Sequence, residues 1–310
     1  MGKNGKNIKM DLSIIIVSFN TKNLLLTCIK SIFEYTKGIN FEIIVVDNGS
    51  KDRSAAAAMN LGAKVIENKE NLGFAKANNQ GFKISNGRYI LFLNSDTRIY
   101  DNVLGEMVPW MSLNSEAGVA TCALKNKNGS LQATGGYFPT LPRVFSWMTI
   151  QDIPFVDSVI KPFHPYHSKS FLFRGDSFYK TKKELGWVTG AFFMTRKDIL
   201  EQVGGWDEDF FMYVEEVDLC FRIKKLGYKI WYLPKWSITH YGGASGKTGG
   251  SSIISEYSGI KKFYRKHYPF WQFPILRLIL KIGAIGRIIL FGILEGKGSA
   301  KIYAKAFKSA

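Results

Sequence analysis

Acidic residues are scarce where the chain is most basic. Residues 261–310 hold one Glu against eleven Lys/Arg, residues 1–10 hold three Lys and no acid, and the whole chain reaches +17. The excess charge therefore belongs mainly to the two ends and little to the middle. Cysteine is also rare. Cys28, Cys122 and Cys220 form no CxxC pair, which excludes a Cys-based zinc module and fits free thiols in a reducing compartment. No GxGxxG follows the first strand-like segment, so a dinucleotide-binding Rossmann site is set aside. The stretch "YGGASGKTGG" contains Gly-Lys-Thr, but Tyr241 occupies the place of the leading P-loop glycine. The basic start "MGKNGKNIKM" has no apolar run behind it and does not read as a signal peptide. No internal repeat and no dominant low-complexity block interrupts the 310 residues, which suffice for one large domain with an appendage or for two small domains.

What the chain does have is a set of short apolar runs ending in oxygen-bearing side chains. "LSIIIVSFN" (12–20) ends in Ser18-Phe19-Asn20, "FEIIVVDNGS" (41–50) in Asp47-Asn48-Gly49-Ser50, and "ILFLNSDT" (90–97) in Asn94-Ser95-Asp96. Helical spacing follows at 21–36, 51–61 and 74–85, and "KVIENKENLGF" supplies a third strand. Strand and helix alternating in this way predict a mostly parallel sheet flanked by helices, an α/β fold. Ligands of such sheets sit outside the carboxyl ends of the strands. One polar strand end is a turn or a cap. Three at one edge describe a polar, acidic pocket.

These residues resemble the inverting glycosyltransferases of family 2, with the GT-A fold, near the rhamnosyltransferase-like members. The resemblance runs from about Leu12 to Tyr241. It rests on "SIIIVSFN", "EIIVVDNGS", "NLGFAKANNQG", "ILFLNSDT", "WVTGAFFMTRKDIL", "GGWDEDFFMYVEEVDLCFR" and "ITHYGG" in that order. It implies a nucleotide-diphosphate sugar donor, with Asp47 near the nucleoside and Ser18 and Asn20 beside it. Asn71, Gly73 and Asn78 or Asn79 would contact sugar or diphosphate. The family's Asp-x-Asp motif falls on Asn94-Ser95-Asp96, so Asn replaces the first Asp and Asp96 is the one charged ligand of the motif. His240, in "THYGG", matches a second metal ligand.

The chemistry suits those residue types. Negative charge grows on a nucleotide diphosphate as it departs, and Mg²⁺ or Mn²⁺ on oxygen and imidazole ligands neutralises it. Inversion needs one general base for the acceptor hydroxyl. Glu215, Glu216 and Asp218 open a predicted helix, where acids also favour the macrodipole. Glu216 matches the family's second acidic position and is expected to be the base, its pKa lifted by a neighbouring acid. Glu215, Asp207, Thr189 and Gly190 are expected on the acceptor side. Trp206 is expected in the core, and Lys247 on "GGASGKTGGSS" is expected near the diphosphate.

The expected organisation is a basic extension over 1–10, a catalytic domain over 11–245 with an acceptor-side insertion at 137–186, and a flexible Gly/Ser loop with a basic amphipathic tail over 246–310. His164 and His167 in "HPYH" read as loop residues. In "YPFWQFPILRLILKIGAIGRIILFGIL", Arg277, Lys281 and Arg287 lie within roughly 120° at about 100° per residue. Each would cost on the order of 3 kcal/mol at the centre of a bilayer, so the helix is expected in the interface, with Trp271 and Tyr268 at headgroup depth. A tail both basic and apolar points to an anionic membrane surface rather than nucleic acid, and packing on the domain or a dimer partner is the other reading. The expectation as a whole is an enzyme at the cytoplasmic face of the membrane, moving a sugar, rhamnose from its dTDP donor for preference, to a lipid-linked or polysaccharide acceptor. A nucleotidyltransferase on the same sheet edge and a non-catalytic membrane-bound sugar- or nucleic-acid-binding protein are the alternatives.

Overall fold

The computed structural model describes residues 10–151, 153, 155–165, 176–242 and 251–310. The chain begins as strand and helix in alternation: β1 (Leu12–Ser18), α1 (Lys22–Tyr35), β2 (Phe41–Asp47), α2 (Ser54–Met59), β3 (Lys64–Glu67), α3 (Phe74–Lys83) and β4 (Tyr89–Asn94). There follow β5 (Thr97–Arg98), α4 (Val103–Leu113), β6 (Ala117–Lys125), β7 (Gly135–Gly136), α5 (Leu141–Thr149), α6 (Val156–Val159), β8 (Lys183–Leu185), β9 (Trp187–Val188), β10 (Phe192–Arg196) and α7 (Lys197–Val203). The last elements are α8 (Glu215–Lys225), β11 (Lys229–His240), α9 (Ser251–His267), α10 (Gln272–Leu294) and α11 (Lys297–Ser309).

The main sheet runs β3-β2-β1-β4-β10-β6-β11-β5, with β8 also on β11. Its first four strands are parallel. β10 then runs antiparallel between β4 and β6, while β11 returns parallel to β6. The sheet is therefore mixed, with its parallel half at the N-terminal side. The parallel strands are apolar along their length because helices cover both faces. Side chains alternate between two cores: Leu12, Ile14 and Ile16 join α1 and α4 on one side, and Ile15 joins α3 and α8 on the other. Each of these β1 residues is fully buried, a contribution of about 2 kcal/mol apiece. A slip of one residue would exchange the two faces, so the register, and with it the position of every strand end, is tightly set.

β7 and β9 form a separate two-stranded ribbon. It closes the base of the segment expected as an insertion at 137–186.

The C-terminal helices pack on the domain, the second of the two readings of the basic amphipathic tail, and most of the expected Gly/Ser loop lies outside the described residues. Tyr257, Ile260, Phe263 and Tyr264 of α9, and Leu276, Leu280 and Ala284 of α10, belong to the same core as α3 and α8. Tyr268, expected at headgroup depth, instead packs on Phe263 and Tyr264. α9 also grips the segment before and within α8 at several points. The Lys262 ammonium donates to the Asp209 carbonyl, Lys266 pairs with Asp207 at 2.5 Å, and Gly259 lies against Tyr213 and Val214. Asp218 accepts from His267 at 2.6 Å and from Arg222 at 2.7 Å.

Burial alone would push the Asp218 carboxyl up, but His267, Arg222 and Lys266 overcome it and hold it at about 2. The stability this group supplies is thus complete above its ordinary value of 3.8 and is lost as pH falls through about 2. Asp218→Asn, which leaves buried cations unpaired, is expected to cost about 3 kcal/mol at neutral pH. Denaturant unfolding of the two proteins at pH 7 measures it, and an unchanged midpoint contradicts the anchor.

Candidate functional site

A cavity of about 330 Å³ opens at the carboxyl ends of β1 and β4. Its lining includes Asn94, Ser95, Asp96 and His240, together with Asn48, Asn71, Phe74, Thr189, Gly190, Met212, Tyr213, Glu215 and Glu216. Asp96 and Glu216, the two carboxylates the reading depends on, face the same space.

The strand ends hold each other in place. The Ser18 hydroxyl meets that of Thr21 at 3.1 Å, and Thr21 meets Ser95 at 3.0 Å, joining β1 to β4. Thr21 starts α1 without using its side chain as a cap, since its hydroxyl is taken by these neighbours. Asn20 adopts φ 54°, a left-handed conformation Asn tolerates, and cross-links to the β2 loop: its amide N–H donates to Ser50, and its Oδ1 accepts from the Lys51 N–H. One Asp47 oxygen accepts from the Ser50 N–H at 2.7 Å. The other, Oδ2, is buried with no hydrogen-bond partner among the described residues, an uncompensated acceptor beside the cavity strands. Ser18, Asn20 and Asp47 thus sit at the expected strand ends while lying outside the cavity lining.

His240 is the last residue of β11 and pairs across with Thr97 of β5. That pairing brings its ring to Asp96, with Nε2 3.2 Å from Oδ1, and to Asn94 at 3.2 Å. The Gln132 amide nitrogen donates to the His240 carbonyl at 2.6 Å and to Asn126 at 2.7 Å. Its oxygen is therefore the atom turned to His240 Nδ1, 2.8 Å away. Nδ1 must carry the proton of the neutral ring, and the Nε2 lone pair points at the Asp96 carboxylate. Nε2 accepts from the Asn94 side-chain amide at 3.2 Å, and a hydrogen bond at the far ring nitrogen is the usual support of a metal-binding histidine. Among the described residues no cluster of three or more His, Cys, Asp or Glu could hold a metal. Two protein ligands suit a hard cation that completes its shell with phosphate oxygens and water. Asp96 and His240 form a donor set that would fit Mg²⁺ or Mn²⁺.

The acids sit at the start of α8 after an unusual turn. Tyr213 and the β-branched Val214 have φ of 69° and 72°, both left-handed. Gly259 of α9 makes room for them, since a Cβ there would lie 2.7 Å from a Val214 methyl and 2.8 Å from the Tyr213 carbonyl oxygen. The turn delivers Glu215, buried, and Glu216, half-buried, to the cavity, and each keeps one oxygen without a hydrogen-bond partner among the described residues. The helix N-terminus favours their charged forms, yet burial prevails. It raises Glu216 to about 7, with Glu256 repelling its charge and His164 favouring it. Glu215 is raised as well, by burial first and by Glu216 second. The expected lift of Glu216 thus has desolvation as its main cause, and its repelling acid is on α9.

Thr189 and Gly190 line the cavity as expected, with Gly190 close to the Phe74 ring. Asn71 is held by Asn48 at 3.2 Å and accepts from the Gly73 N–H at 3.0 Å. Gly73, φ 85°, starts α3 so close to Phe211 that a Cβ would lie 2.8 Å from its ring and carbonyl. Three expected residues face elsewhere. Asn78 donates to the Phe74 carbonyl, Asn79 bonds the backbone of Trp206 and the Glu208 carboxylate, and Asp207 pairs with Lys266. In each case the polar group is already committed to holding a helix or loop. Trp206 is core, packed edge-on to Phe74 and Phe92. Lys247 and His167 lie outside the described residues. His164 is more than a loop residue: it pairs with Glu256 at 2.7 Å, beside Glu216. Asn48 stands in the second polar strand end, whereas Gln132 carries no motif signal. The link from Gln132 to His240 spans 108 positions and exists only in the folded chain. The cysteines are free and buried, and burial pushes the Cys28 thiol up to about 12.

A polar cavity at parallel strand ends, holding an Asp–His pair and desolvated acids, is the arrangement of a GT-A nucleotide-sugar transferase. Residues 13–204 match the family described as Glycosyl transferase family 2, and the chain belongs to that family. It is similar to the N-acetylglucosaminyl-diphospho-decaprenol L-rhamnosyltransferase of Mycobacterium tuberculosis, 23% identical over 75% of this chain and 78% of that one. It is also similar to the rhamnosyltransferase WbbL of Escherichia coli K12, 23% identical over 64% of this chain and 82% of that one. The fold matches the mannosyltransferase PcManGT of Pyrobaculum calidifontis, solved with GDP-Man and Mn²⁺, at a TM-score of 0.54 and 15% identity, over 98% of this chain and 77% of that one.

Two outcomes are expected from the site. Gln132→Leu removes the partner that orients His240 and should weaken Mn²⁺ binding, measured by calorimetry with a nucleoside diphosphate present, by about 10–100-fold. Glu216→Gln should unfold at the same denaturant concentration as the parent below the ordinary carboxyl value of 4.5, and at a higher one above pH 7, because the parent then carries a buried ionised acid.

Proposed function

We propose that this chain is a metal-dependent inverting glycosyltransferase that moves a sugar from a nucleotide-diphosphate donor to a lipid-linked or growing polysaccharide acceptor. The observation that supports it most is the shared cavity, lined by Asp96, His240 and the desolvated Glu216. The nucleoside is placed at the ends of β1 and β2, where the unpaired Asp47 oxygen offers an acceptor. The diphosphate lies toward Asn71, Asn94, Ser95 and Asp96. When bound, Mg²⁺ or Mn²⁺ at Asp96 and His240 neutralises the charge of the departing diphosphate.

The acceptor hydroxyl enters past Thr189 and Gly190. Its oxygen forms the new bond to the anomeric carbon as the bond to the diphosphate oxygen breaks, and that electron pair leaves with the nucleotide. The hydroxyl proton passes to the free oxygen of Glu216, which a value near 7 suits, since the group is largely ionised just above that pH yet still basic. Glu215 lines the same cavity beside it, its carboxyl also raised by burial first and by Glu216 second. Rhamnose from dTDP-rhamnose is the preferred donor because the two curated relatives carry rhamnosyltransferase names. The decaprenol in one of those names supports a lipid-linked acceptor here, and a lipid-linked acceptor fits the expected position at the cytoplasmic face of the membrane.

A panel of nucleotide sugars with Mg²⁺ or Mn²⁺, read by released nucleoside diphosphate, tests the reading. Activity is expected to rise with pH along a single ionisation near 7. Glu216→Gln should lose about 10²–10⁴-fold in kcat, and Asp96→Ala should lose the metal response. Full turnover by either variant, or no turnover with any donor, overturns the assignment.

A further inference from the structure

α10 is packed on one side and bare on the other. Leu276, Ile279, Leu280, Gly283 and Ala284 are buried. Met148 of α5 fills the space where Gly283 has no side chain, and Arg287 donates to the Trp147 carbonyl at 2.9 Å while lying over the Trp147 ring. The other face carries Ile275, Leu278, Ile282, Ile285, Ile289 and Ile293, each 41–79% exposed. At about 100° per residue these six fall within an arc of roughly 80°. Trp271, 54% exposed, begins the same line. Exposed aliphatic residues are ordinary one at a time, but a continuous row of them along a whole helix marks a contact surface.

The basic residues of this helix stand away from the row. Arg277 donates to the Ala310 carbonyl and Lys281 lies over the Phe307 ring, so both turn toward α11. α11 folds back on α10, with Phe291 stacked on Tyr303, and exposes Lys297, Lys301, Lys305 and Lys308. These four lysines share an arc of roughly 80°. An apolar row on α10 and a lysine row on the helix folded against it together suit a surface that is apolar beneath and anionic above. A second copy of the chain would instead bring lysines against lysines. Among the described residues no helix is long and apolar enough to cross a membrane.

We propose that the exposed row of α10, with the lysines of α11, docks the folded enzyme flat on an anionic lipid surface. The row is about 33 Å long and enters the headgroup boundary by its side chains while the opposite face stays on the protein. Of the expected polar arc, Arg287 is turned onto Trp147 and Arg277 and Lys281 toward α11, so none of the three lies within the apolar row. Because α5 lies in the segment 137–186, the docking helix and the acceptor-side wall form one body. The purpose given to this surface rests on the reading of a lipid-linked acceptor; the surface itself does not.

Flotation of the full chain with phosphatidylcholine vesicles, with and without phosphatidylglycerol, tests it. The chain should float with the anionic vesicles, and high salt should weaken this. Ile282→Ser with Ile285→Ser should reduce binding on the order of tenfold or more. Lys301→Glu with Lys305→Glu should reduce it on anionic vesicles alone. Both double variants should keep the parent's thermal midpoint and its donor hydrolysis in solution. A parent that stays unbound at low salt overturns the proposal, as does a stable dimer that the Ser variant separates without any loss of flotation. Flotation without turnover of any donor would sink the proposed reaction and leave the docking surface standing.

Discussion

The removal of two carboxylic acids from water at the start of α8 is the constraint around which this molecule is built. Desolvation of an acid is unfavourable, and here it outweighs the helix N-terminus that would otherwise keep both groups ionised. The left-handed Tyr213–Val214 turn that aims them is unfavourable as well. Neither would persist in a segment free to relax. α9 supplies the restraint: Gly259 meets the turn, Lys262 and Lys266 hold the chain before it, and Lys266 and His267 hold Asp218 after it. The ion pairs that look decorative on α9 are therefore what keeps the acids pointed into the cavity.

The rest of the cavity follows from topology. Parallel strands place Ser18, Asp47 and Asn94 at one edge, and the antiparallel β10 lets β11 return beyond β6, so that its end meets β5 and brings His240 to Asp96. Much of this was readable in the chain. Apolar runs that stop in Ser, Asn and Asp announced the strands, and three such ends at one edge announced the polar cavity found there. Glu216 was readable through its motif. Gln132 was not, since nothing in the local pattern at 126–132 refers to a histidine more than a hundred positions away. Nor was the fate of Asn79 and Asp207. Both stand in motifs of the family, yet the backbone of Trp206 and the ammonium of Lys266 reach them first.

The tail shows the limit of periodicity from another side. An amphipathic pattern locates the faces of α10 but does not say which face the rest of the protein covers. Charge suggested that Arg277, Lys281 and Arg287 mark the outer side. Packing decided otherwise, because guanidinium and ammonium groups on long apolar stems find carbonyls and aromatic rings within the fold.

The small ribbon of β7 and β9 has its own bearing on the segment it closes. Two residues of backbone pairing at Gly135–Gly136 and Trp187–Val188 close the neck of a fifty-residue excursion, and among the described residues the main sheet takes no strand from its interior except the short β8. The excursion is nonetheless tied to the rest of the molecule by its own buried side chains, Val144, Met148 and Phe163, so a change in its length would reach α10 as well as the neck.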